Sequence, residues 1–151
     1  MEYIEAAHDE GECIFCELPT EDRDDKSFIL ARERRVFVLL NAFPYNPGHL
    51  MVAPFRHVGD VEELTSEELT DAGGLLQRAV RALRREMEPD GFNVGMNLGR
   101  VAGAGVPGHL HWHVVPRWNG DTNFMPVVGA TRVLPESLDD TYRKLEPRFH
   151  D

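Results

Sequence analysis

"GHLHWHVVPRW", residues 108–118, places His109, His111 and His113 at every second position. The chain has seven histidines, so three of them fall within five residues. On an extended strand, alternate side chains point to opposite faces. The spacing therefore predicts three imidazoles on one face, ~6.5–7 Å apart along the chain, with Leu110, Trp112 and Val114 on the other. The second face is apolar enough to pack on a core or a partner. The first admits three readings: a solvated polar face, a catalytic metal site, or an imidazole nucleophile held by its neighbours. The preceding stretch, "GRVAGAGVPG" (99–108), favours the third. Its four glycines let backbone N–H groups approach an anion closely. A phosphate held there sits beside the histidine face. Imidazole, with a pKa of ~6.5, is largely neutral at cellular pH and so able to attack it.

The flanking segments give the strand its setting. "VFVLLN" (36–41) reads as a buried strand, "AFPYNPG" (42–48) as a turn and "HLMVAP" (49–54) as the returning strand. "GFNVGMNLG" (91–99) reads as a further strand and "PTEDRDDKS" (19–27) as a charged loop. Thr65 or Ser66 caps a long helix. Its apolar stripe is Leu69, Ala72, Leu75, Leu76, Ala79, Val80, Leu83 and Met87, ended by Pro89 and Gly91. Gly73 and Gly74 inside it mark either a close approach or tolerated weakness. "PESLDDTYRKLEPRF" (135–149) reads as a short C-terminal helix. Strands with one long helix on a mostly antiparallel sheet predict an α+β domain.

The chain has 151 residues, which fits one domain. Sixteen basic and 26 acidic residues give a formal charge of −10, which argues against a nucleic-acid coat. No apolar run approaches a membrane span, and "MEYIEAAHDEGE" lacks the pattern of a signal peptide. A cytoplasmic location is the expectation. The two cysteines, Cys13 and Cys16 in "ECIFCEL", suit a redox pair or half of a zinc site, with zinc favoured because no strand precedes them.

"HLHWHVV" resembles the H-φ-H-φ-H-φ-φ signature of the histidine triad (HIT) superfamily of nucleotide hydrolases and transferases. The resemblance spans roughly residues 12–135, leaving 135–151 as a C-terminal helical tail of a single 1–151 domain. It includes "VFVLLNAFPYNPGHLMVAPFRHVGDVEEL" with its Pro-Gly-His turn. "GFNVGMNLG" and "HLHWHVVPRWNGDTNF" look most like the branch holding diadenosine polyphosphate phosphorylases and hydrolases. The resemblance implies a five-stranded antiparallel sheet with a long helix and a C-terminal helix, paired as a homodimer. It implies a nucleotide substrate such as a diadenosine polyphosphate, and no organic cofactor.

The resemblance also assigns roles. His111 is the nucleophile that forms a covalent nucleotidyl-histidine, and His113 contacts the phosphate. His49 is a further active-site histidine, and Asn97 touches the α-phosphate or bridging oxygen. Asn41 binds ribose hydroxyls, and Gly105 and Val106 offer backbone N–H groups. Arg100, with Arg56 and Arg117, is a candidate for the distal phosphates. Cys13, Cys16, His57 and His109 match a closed Cys₂His₂ site, the pattern of structural zinc. Trp112 faces away from the histidines, and Trp118 is a candidate neighbour of the substrate. The chain departs from relatives that carry Ser or Thr just before the triad; here Ala104, Gly105, Val106 and Pro107 stand instead. Nucleoside phosphoramidate cleavage, and a zinc-stabilised nucleotide-binding module with little turnover, are the alternatives.

Overall fold

Val36–Leu40 (β2) and Leu50–Pro54 (β3) pair antiparallel in unbroken register from Val36↔Pro54 to Leu40↔Leu50. The computed structural model describes residues 13–121 and 136–150. Every residue of both strands is buried, because the sheet is covered on both sides. Val36, Val38, Leu40, Leu50 and Val52 join one apolar cluster, while Phe37, Leu39, Met51 and Ala53 join another. Alternation along each strand deals side chains to the two layers in turn. An apolar run without polar breaks is the sequence signature of that double burial.

Three more strands complete the sheet: Ile29–Arg32 (β1), Gly91–Gly95 (β4) and Trp112–Arg117 (β5). The order is β1-β2-β3-β5-β4, and all pairs are antiparallel. The five-stranded α+β architecture expected from the sequence is therefore present. β5 begins at Trp112, so His109 and His111 lie on its approach rather than within it. They still run beside β3 and its extension, because Leu110 N–H donates to Val58 O at 2.8 Å. The strand read over 91–99 stops at Gly95. The loop read over 19–27 instead holds most of a 3₁₀ turn, Leu18–Glu21, and a short helix, Asp24–Ser27 (α2), and another short helix, Ile14–Glu17 (α1), precedes it. Pro19 opens the 3₁₀ turn and Asp24 and Asp25 fill the first turn of α2, so polar residues make helix here.

The long helix spans Ser66–Met87 (α3). Thr65 is its N-cap: its hydroxyl accepts Glu68 N–H at 3.0 Å, and the Glu68 carboxylate accepts Thr65 N–H at 2.9 Å. Ala72, Leu75, Ala79, Ala82 and Leu83 face the sheet. Leu69 belongs to the same periodic stripe but is exposed, because it lies at the rim of that face. The C-terminal helix is Leu138–Leu145 (α4), followed by a 3₁₀ turn, Glu146–Phe149; Leu145 and Phe149 close the α3-side core. Among the described residues, no helix is long and apolar enough to cross a membrane. The polar stretch 1–12, residues 122–124 at the end of "WNGDTNF" and Pro135 lie outside the described residues.

Two glycines test this packing in opposite directions. Gly48 has φ +85°, and a Cβ there would lie 2.8 Å from Met87 Sδ and 3.2 Å from Pro116 Cγ. Gly74 lies inside α3 with nothing within 4 Å of a Cβ, which supports tolerated weakness rather than a close approach. Gly48→Ala is expected to lose about 1–3 kcal/mol of unfolding free energy. Gly74→Ala is expected to gain about 0.5–1 kcal/mol. Urea unfolding of both variants checks the pair.

Candidate active site and metal centre

The sheet face away from α3 carries the chemistry. Cys13 is the N-cap of α1 and Cys16 lies inside it, with Cys16 N–H donating to Cys13 O at 3.1 Å. That turn brings both sulfurs to one side. His57 follows β3, and His109 precedes β5. Cys13 Sγ lies 3.3 Å from His109 Nδ1, and Cys16 Sγ lies 3.4 Å from His57 Nδ1 and 3.5 Å from His109 Nδ1. The two imidazole Nδ1 atoms are 3.2 Å apart. All four donor atoms lie within 4.8 Å of one another. A tetrahedral zinc, with Zn–S of about 2.3 Å and Zn–N of about 2.0–2.1 Å, sets its donors roughly 3.3–3.8 Å apart. Four of the donor distances, 3.2–3.5 Å, lie at or near the short end of that range.

The tautomer of His109 fits as well. Its ring is fully buried, and Nε2 lies 2.8 Å from Pro54 O. A carbonyl only accepts, so Nε2 carries the proton and Nδ1 presents its lone pair to the cluster. Burial and the neighbouring Cys13 push the Cys16 thiol up to about 11. A cation reverses that preference by favouring the thiolate.

His111 sits two residues on, and its surroundings fix its tautomer too. Nδ1 lies 2.9 Å from His109 O, so Nδ1–H donates and Nε2 keeps its lone pair. The ring stacks on Phe15 with centroids 4.7 Å apart at 28°. Burial lowers its pKa, partly opposed by the bond to His109 O. His113 is 5.0 Å away, ring edge to face.

A relay sets His113. Tyr45 N–H donates to His49 Nδ1 at 3.2 Å, which leaves the proton of His49 on Nε2. His49 Nε2–H then donates to His113 Nδ1 at 2.8 Å. The remaining proton of His113 is therefore on Nε2, a donor at the cavity wall. Burial and the proximity of His113 and His111 push His49 down to about 3. Burial and His111 push His113 down to about 4. Both rings are neutral at neutral pH.

These groups line a cavity of about 190 Å³. Ile14, Phe15, Phe43, Met51 and Val106 give it apolar walls; Asn41, Asn97, His111 and His113 give it polar ones. A second, more open cavity of about 380 Å³ shares Tyr45, Asn97 and His113 with it and extends along β4. Asn97 Nδ2 reaches Gly103 O at 3.4 Å, and Gly105 lies on the cavity wall. Asn41 does two things: its Oδ1 accepts Phe43 N–H at 2.8 Å, and it lines the cavity.

The arginines are placed differently. Arg100 lies in the exposed turn Arg100–Ala102 and is not on the wall of either cavity. Arg56 is held by Glu68 at 2.9 Å, and Arg117 by Asp121 at 3.0 Å. Trp112 packs between the α3-side core and the Leu110 cluster, away from the histidines. Trp118 donates its backbone N–H to Asp121. Sequence reasoning missed Phe15, Ile14, Phe43, Tyr45 and Met51 as cavity-lining residues. Phe15 had a signal: it stands between the two cysteines, so a metal there must carry it along.

The HIT domain family matches residues 22–120. The chain is a member of the HIT domain family. An AP-4-A phosphorylase of Mycobacterium tuberculosis is 46% identical to this HIT protein over 131 residues, covering 87% of the chain and 67% of the relative. A bis(5'-adenosyl)-triphosphatase of Dictyostelium discoideum is 38% identical over 81 residues, 54% of each chain. Among solved structures, a Zn-bound histidine triad family protein from Mycobacterium smegmatis is similar with a TM-score of 0.73 at 26% identity, covering 91% of this chain and 93% of that one.

The relay carries a pH signature. His49 and His113 are depressed in the folded protein, against about 6.5 in the unfolded chain. Between pH 6.5 and 4 the unfolded state binds more protons, so stability is complete above pH 6.5 and declines as pH falls. Urea unfolding from pH 7.5 to 5 is expected to show that decline. His49→Gln should remove up to about 1.4 kcal/mol per pH unit from its slope.

Proposed function

We propose that this HIT protein cleaves a dinucleoside polyphosphate at the α-phosphorus, with His111 as the nucleophile. The observation that carries the reading is the His111 tautomer. Its Nδ1–H is committed to His109 O, so the unprotonated Nε2 belongs to a neutral, buried ring on the wall of a mostly apolar cavity. A neutral imidazole is the reactive form. Its attack forms the P–N bond as the P–O bond to the polyphosphate leaving group breaks. His113 Nε2–H donates to a phosphate oxygen during this step. Asn97 offers an uncharged amide, which adds no repulsion with phosphate.

The acceptor completes the cycle. Water or inorganic phosphate forms a new P–O bond, the P–N bond breaks, and His111 returns to its starting form. We favour phosphate as acceptor. The support is the 46% identity to an AP-4-A phosphorylase over 87% of the chain, against a shorter match to a triphosphatase. The apolar cavity suits a base and ribose with Asn41 at the sugar. The second cavity leaves room for the departing nucleotide.

Diadenosine tetraphosphate incubated with and without phosphate tests the reading. ATP and ADP are expected with phosphate; ATP and AMP without it mean water is the acceptor. His111→Ala should lose at least ~10⁴-fold in turnover and trap no labelled nucleotide. Full activity in that variant, or faster turnover of adenosine phosphoramidate than of the dinucleotide, would overturn the assignment.

Cys13, Cys16, His57 and His109 would hold one structural zinc. The ion would neutralise the two thiolates and tie α1 to the approach of β5. The donor spacings and the His109 tautomer support this. Purified protein is expected to contain one zinc per chain, and Cys16→Ser to lose it and unfold at lower temperature. Metal-free protein with freely alkylated cysteines would refute the site. β4 is a sheet edge with Val94 half exposed, which supports a homodimer across it. A cytoplasmic location suits the free thiols.

A further inference from the structure

Phe15 joins the two chemistries of this face. It stands between Cys13 and Cys16 in α1 and is 1% exposed. Its ring lies face to face with His111, 4.7 Å away at 28°, and tilted against His109, 5.3 Å away at 41°. The bond from His111 Nδ1–H to His109 O pins one edge of the imidazole. The ring can still rock about that bond. The face of Phe15 blocks the rocking on one side, and His113 meets the ring on its edge at 5.0 Å. Phe15 therefore sets the plane of the ring, and with it the direction of the Nε2 lone pair.

The position of Phe15 is set in turn by its neighbours in the chain. α1 is a single turn, with Cys16 and Glu17 N–H both returning to Cys13 O at 3.1 and 2.9 Å. Cys13, two residues before Phe15, and Cys16, the residue after it, belong to the four-donor cluster. Phe15 and both cysteines share this one turn, so a rotation of the turn that follows a sulfur also moves the aromatic ring. We propose that Phe15 is a positioning residue that transmits the state of the Cys13–Cys16–His57–His109 cluster to the ring plane of His111. The proposal rests on the reading of His111 as nucleophile. A competing route exists through the His109 carbonyl, which is also part of a cluster residue. The two routes predict different results when the Phe15 ring is removed.

The test uses the whole chain and reads ring-proton resonances of His111, assigned by their loss in His111→Gln. Spectra are recorded with zinc, with cadmium exchanged for zinc, and after chelation. Cadmium is the larger ion and changes the donor spacing without emptying the site. In the wild type, the His111 protons are expected upfield, shielded by the Phe15 ring, and they should move when the ion is changed or removed. In Phe15→Leu the upfield displacement should vanish, and changing the ion should no longer move the His111 signals. Phe15→Tyr keeps the ring and should retain both effects. In single turnover, Phe15→Leu should slow nucleotide transfer to His111 by roughly 10- to 100-fold. Nucleotide affinity should change far less.

Equal ion-dependent shifts in wild type and Phe15→Leu would overturn the proposal and assign the coupling to the His109 carbonyl. So would wild-type His111 signals that ignore the ion. If Phe15→Leu does not fold, the wild-type and Phe15→Tyr spectra with zinc and cadmium decide: no shift in either defeats the idea. Full turnover in His111→Gln would overturn the nucleophile reading separately, because the ring shifts are read without turnover.

Discussion

Burial leaves His49, His109, His111 and His113 each with a single proton, and the partner of that proton decides what the other nitrogen can do. His109 gives its proton to Pro54 O and turns a lone pair toward the thiols. His111 gives its proton to His109 O and keeps Nε2 bare. His49 receives from Tyr45 N–H and passes the role of donor to His113. Three rings that look alike in sequence thus differ in which nitrogen is bare and which one donates. Backbone groups fix the choices at His109, His111 and His49, and His49 passes its own on to His113.

The scaffold can do this because the sheet has two buried faces. α3 covers one, and the α1 turn with the Val106 loop covers the other. The second cover is also the wall of the cavity. Packing and site are therefore one layer: Phe15 and Met51 are core residues seen from below and cavity residues seen from above.

Much of this was legible in the chain. β2, the turn over 42–48 and β3 were read from apolar runs broken by Pro and Gly, and a cap at Thr65 or Ser66 from the acids that follow it. The alternation of the histidines also separated Trp112 and Val114 from the reactive side correctly. β1 went unread because four residues, Ile29–Arg32, follow a charged stretch and carry too little period to detect. The start of β5 was read too early, since His109 and His111 bond to backbone through side chains rather than through ladder amides. The C-x-x-C spacing offered Cys13 and Cys16 as half of a zinc site, but His57 and His109 joined them only through the resemblance, because no local spacing links Cys13 to His57. Arg56 and Arg117 drew attention as cations, but their carboxylate partners Glu68 and Asp121 are placed by tertiary packing, which sequence order does not display.

The Cys13 sulfur and the His109 ring meet across 96 residues of chain. Closing a loop that long carries an entropic cost of a few kcal/mol, and the cost falls before any contact at its ends is made. The β2–β3 hairpin and α3 lie between the cysteines and His109 in the chain. Only two residues separate His109 from His111, so the same long closure that carries His109 to Cys13 also carries His111 to the face of Phe15.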